Sequence, residues 1–109
     1  MATWNPYPPL PREAVRDLLG ITRALYRVTL AEDPRDVVRL QRLADIGREL
    51  RAALQGSQGH PGTIQHQYAW EAAERATRAL GELVGDSMPL EPLVRATCAR
   101  VKREPLKMG

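Results

Sequence analysis

Along the chain, apolar side chains recur at intervals of three and four in four separate stretches, and no stretch alternates apolar with polar residues. Three-and-four spacing places side chains on one face of a helix, whereas alternation would mark a strand. The first stretch is Ala14, Leu18, Ile21, Leu25 and Val28, widened by Val15, Leu19 and Tyr26, and it predicts a helix over 11–30. Gly20 interrupts it at a cost of roughly 1 kcal/mol against alanine. Close approach by another backbone would account for that residue. The second seam, Leu40, Leu43, Gly47, Leu50 and Leu54 with Val37, Ile46 and Ala53 beside it, predicts a helix reaching residue 55. The third is rich in alanine: Ala69, Ala73, Ala76, Leu80 and Leu83, flanked by Ile64, Tyr68, Trp70, Thr77 and Val84. Leu90, Leu93, Val94, Thr97, Cys98 and Val101 predict a short fourth helix over 89–103.

The polar breaks carry matching start and stop signals. In "AEDPRD", Asp33 reads as an N-cap with Pro34 at the first helical position and Asp36 in the first turn. "QGSQGHPGT" at 55–63 is a loop of three glycines, a proline and a serine, closing on Thr63 as the cap of the third helix. In "GDSMPLEP", Asp86 or Ser87 can cap the fourth helix, which Pro105 stops. The predicted fold is therefore an all-α, single-domain bundle of four helices, the last one short, over 11–104, with a fraying tail at 105–109.

Residues 1–10 do not belong to any of these patterns. Pro6, Pro8, Pro9 and Pro11 crowd into six positions, and each fixes its own φ while pushing its predecessor toward extended backbone. A stiff extended arm follows, with Pro11 set at the start of the first helix. Trp4, Tyr7 and Leu10 give this arm an apolar edge. Two uses are open to it: folding back over an edge of its own bundle, or reaching into a partner or a second copy. Pro8-Pro9-Leu10-Pro11-Arg12 also has the Pro-x-x-Pro spacing of polyproline ligands, a pattern short enough to arise by chance.

Composition narrows the function classes. Hydrophobic residues make up 43% of the 109 positions, which is enough for a packed core. With no Phe, that core must be built from aliphatic side chains. No apolar run reaches the length of a membrane span, and the N-terminus lacks a signal-peptide pattern. Cys98 is the only cysteine and has no partner for an internal disulfide, so a reducing cytoplasm is expected. The net charge of +3 comes from 14 Arg and 2 Lys against 13 acids. That arginine excess, with abundant alanine, is also what a bacterium with a GC-rich genome would write.

Candidate chemistry is sparse. His60 and His66 stand six apart with no nearby cysteine, which is not zinc-ligand spacing, and neither follows the Glu-x-x-His pattern of di-iron bundles. His60 falls in the loop, and His66 in the first turn of the third helix, where the dipole disfavours a cation. "HQYAW" does not resemble a phosphoacceptor site, and Cys98 lies in an apolar stripe as a small core residue. No catalytic, cofactor-binding or metal-binding residue is expected. Charge is distributed more informatively: four arginines face two acids in the first helix and five face three in the second. If these helices pack antiparallel, Arg16, Arg23, Arg27, Arg35, Arg39 and Arg42 could share an outer surface. The reading is a non-enzymatic protein that binds another protein, or its own copy, through Trp4, Tyr7, Pro9 and Leu10 as anchors and Arg16, Arg23 and Arg27 as a steering surface. The alternative is an accessory nucleic-acid binder using the arginine faces, and an enzyme or phosphotransfer bundle stands third. No membrane partner is expected.

Overall fold

The computed structural model of the protein describes residues 7–58, 62–84 and 90–102. Four helices follow in order: α1 (Arg12–Glu32), α2 (Val37–Gly56), α3 (Ile64–Leu83) and α4 (Glu91–Ala99). No strand occurs among the described residues. The all-α bundle with three long helices and a short last one is therefore the observed architecture.

Packing follows the seams. α2 lies between α1 and α3 and is the main neighbour of both, while α4 lies against α1 and α3. The core gathers Ala14, Val15, Leu18, Leu19, Ile21 and Leu25 from α1 with Leu43, Ile46, Leu50 and Ala53 from α2. Trp70, Ala73, Ala76 and Leu80 from α3 join it, and Val94 and Val101 close it from the α4 side. Trp70 is 1% exposed and is the largest fully buried side chain, so one indole supplies much of the bulk that an aliphatic core lacks. Two buried hydroxyls are satisfied within their helices: Thr22 donates to the Leu18 carbonyl and Thr97 to the Leu93 carbonyl, each at 2.7 Å.

The helix ends show where local signals compete. α2 begins three residues later than Asp33-Pro34 implies. The Asp33 N–H closes α1 on the Thr29 carbonyl, and the cap passes to Asp36, whose carboxylate accepts from the Arg39 N–H at 3.1 Å. Thr63 caps α3 as expected, accepting from the His66 N–H at 3.2 Å. Gly62 before it has φ 95°, in the left-handed region that glycine adopts without strain. α4 is shorter than its apolar pattern. After Ala99 the N–H groups of Arg100 and Val101 turn back to the Thr97 and Cys98 carbonyls, three residues away, which tightens and ends the helix. The proposed caps Asp86 and Ser87, and Pro105, lie outside the described residues.

Three other expectations change. Gly20 is exposed, and a Cβ built there would meet nothing within 4 Å, so among the described residues no backbone approaches it. The close approach occurs instead at Gly56, where a Cβ would stand 3.1 Å from Ala69 Cβ and from the Gln65 carbonyl. Val28 and Val37, counted into their seams by spacing, are exposed at the α1–α2 end of the bundle.

Candidate functional site: the clasped arm and the arginine row

A proline-rich segment offers carbonyl acceptors but few N–H donors, so it cannot satisfy its own backbone. Residues 7–11 precede α1 without helical structure, and α3 supplies the missing donors. The Pro8 carbonyl accepts from Trp70 Nε1–H at 2.5 Å and lies 2.8 Å from His66 Nε2. A carbonyl can only accept, so His66 Nε2 carries the proton directed toward it. The ring's Nδ1 is buried with no hydrogen-bond partner among the described residues. His66 and Trp70 stand four apart, which puts both rings on one face of α3 near its start. Immediately beyond this clasp, Leu10 is 7% exposed and belongs to the core, and half-buried Tyr7 packs against it.

The arm residues named from the sequence thus separate. Leu10 is part of this chain's own core, Tyr7 leans on that core, and Pro9 is exposed. Trp4 lies outside the described residues, as does His60. Sequence reasoning missed His66 as a structural partner of the arm. The only local sign was the His-x-x-x-Trp spacing, because the bond spans 58 residues.

The arginines separate as well. On α1, Arg16, Arg23 and Arg27 are exposed and fall within one narrow stripe, opposite the buried face centred on Leu18, Thr22 and Leu25. Among the described residues none of the three makes an ion pair or side-chain hydrogen bond. Leu19 reaches Gly47, with its Cδ1 3.9 Å from where a Cβ would stand, so α1 and α2 run antiparallel with these residues opposed. In that register exposed Arg51 of α2 lies about level with Arg16 of α1. Arg42 departs from the expectation: it lies on the opposite flank of α2, in a furrow with Asp45, Glu49, Arg75 and Glu82.

The α2–α3 side contrasts with this face. Its furrow of about 600 Å³ is floored by Ala52, Gly56, Ala69 and Ala72. The charges along it neutralise one another, Arg75 pairing with Glu49 at 3.0 Å and Arg48 with Asp45. Hydrogen bonds from Gln41 and Arg48 hold the Asp45 carboxyl below its usual range. Asp17 of α1 pairs with Arg100 at 2.9 Å, tying α4 across. Comparison of the chain with protein-family models, with curated proteins and with solved structures finds no match. Among the described residues no three His, Cys, Asp or Glu side chains gather as metal ligands, and no helix is long and apolar enough to cross a membrane.

Burial raises the Cys98 thiol above its ordinary range, and its sulfur lies 3.9 Å from the Thr77 carbonyl. Half-buried with the thiolate disfavoured, it has the character of a packing residue rather than a nucleophile.

Proposed function

We propose that this chain is a non-enzymatic helical-bundle protein of the cytoplasm that works by binding another protein, as an adaptor, regulatory or assembly subunit. One observation supports the reading: Arg16, Arg23 and Arg27 line the exposed face of α1, and among the described residues no carboxylate pairs with them. Arg23 and Arg27, four apart, repel one another on the helix surface. The three arginines are suited to steering an acidic partner. With Leu10 committed to the core, the described part of the arm offers a partner the exposed Pro8 and Pro9 and the exposed part of Tyr7, and Trp4 is proposed to act with them. Cys98, single and half-buried, suits a reducing compartment.

Affinity capture with the full chain, followed by mass spectrometry, tests the reading. A specific protein partner is expected at low salt, with its yield reduced by the Arg16→Glu, Arg23→Glu, Arg27→Glu variant. Retention of no protein by the unmodified chain sinks the proposal. The same row favours a second reading, association with nucleic acid, which predicts a gel shift that disappears steeply as salt rises.

A further inference from the structure

The face that carries the arginine row has two features that charge alone does not explain. Gly20 stands within the row between Arg16 and Arg23, in the interior of a 21-residue helix, and a Cβ there would meet only open space. An interior glycine weakens a helix, and among the described residues no packing offsets the loss. The second feature lies at the end of the row. Leu30 is 48% exposed on the same side of α1 as Arg23, and Val37 is 67% exposed at the start of α2. The antiparallel register set by Leu19 and Gly47 brings these two side chains to the same end of the α1–α2 face. Tyr26, 36% exposed, borders them.

We infer that the outer face of α1 and α2, centred on Gly20, docks an acidic amphipathic helix of a partner protein. Arg16, Arg23 and Arg27 meet its carboxylates, and Leu30 and Val37 meet its apolar side chains. The row runs from Arg16 to Arg27 of α1, about 16 Å at about 1.5 Å per step, which is about three turns of helix. Its spacings of seven and four are those that acids on one stripe of a partner helix reproduce. Gly20 lets that helix approach where the two axes come nearest, since no described side chain stands within 4 Å of the place its Cβ would take. Arg51 completes the basic edge from α2. A phosphate backbone would use the arginines but leave Leu30 and Val37 in water, so the observations favour a protein segment over nucleic acid. The inference rests on the protein-binding reading and specifies its surface.

The test uses the full chain carrying the photo-cross-linker benzoylphenylalanine at position 30, and separately at position 68 on the exposed side of α3, irradiated in an extract of the source organism. The expected result is a protein adduct at position 30 whose cross-linked segment is helical, acidic on one stripe and apolar on another. Adduct yield should fall about ten-fold or more in the Arg16→Glu, Arg23→Glu, Arg27→Glu variant. It should fall comparably in Gly20→Leu, whose side chain has room in the folded chain and whose melting temperature should not drop. An adduct at position 30 to nucleic acid, to a second copy, or to a segment without acidic character overturns the inference, as does a yield indifferent to these variants. A protein adduct at position 68 alone also overturns it while leaving the protein-binding reading intact. No protein adduct at either position overturns both.

Discussion

Replacing Leu10 with alanine measures whether the arm belongs to the chain's own core. Leu10 is 7% exposed and joins the cluster that also contains Val15, Leu18 and Trp70. Truncation to alanine removes three carbons, worth about 0.8 kcal/mol each as lost burial, or about 2.4 kcal/mol. An incompletely collapsed cavity adds to this, and buried leucine-to-alanine changes span about 2–5 kcal/mol. The arm precedes α1 and is held by side chains of α3, so it can settle partly into the gap, and about 3 kcal/mol is expected. At about 4 °C per kcal/mol for a domain of this size, the melting temperature should fall by about 12 °C. Far-UV circular dichroism at 222 nm reads the transition, and a urea midpoint lowered with unchanged slope would attribute the change to the native state. Arg23→Ala, on the exposed face, should stay within about 0.5 kcal/mol of the unmodified chain. A Leu10→Ala melting temperature within about 2 °C of the original, equivalent to roughly 0.5 kcal/mol, would refute the arm's place in the core.

Other perturbations test neighbouring parts of the account. Trp70→Phe keeps most of the ring volume but removes the Nε1–H donor to Pro8, and should cost about 1–2 kcal/mol in urea denaturation. Gly62→Ala forces a Cβ into a left-handed backbone and should destabilise by about 1–2 kcal/mol, whereas Gly20→Ala, with open space around it, should stabilise by up to about 1 kcal/mol. Because burial raises the Cys98 thiol, its reaction with a disulfide reagent should be slower than that of a free cysteine at neutral pH. The rate should rise as pH climbs and generates thiolate, and it should reach the free-cysteine value once the chain is unfolded in urea.

Much of the fold was legible because a helical seam is a local property. Leu18, Leu25, Leu43, Leu50 and Leu80 are all deeply buried where three-and-four spacing put them. What spacing cannot say is how far a seam finds a neighbour, which is why Val28, Val37, Ile64 and Tyr68 share the spacing of buried residues yet are exposed. The α2 start was misplaced because two aspartates offered caps three residues apart, and the backbone of Asp33 is used by the end of α1. Gly20 and Gly56 look alike as letters, but only the packing reveals that Gly56 is crowded and Gly20 is not. The clasp was beyond reach of any local rule, since the carbonyl of Pro8 and the rings of His66 and Trp70 meet only after three helices have packed.

The central claim is that the arm closes its own bundle and so leaves recognition to the α1–α2 face. Hydrogen exchange of the Trp70 indole N–H, followed by NMR at several protein concentrations, tests it most directly. The account predicts strong protection that does not vary with concentration, as expected for a donor held by Pro8 of the same chain. Exchange as fast as that of a free indole would contradict it, and so would protection that grows with concentration, because the arm would then be supplied by another molecule.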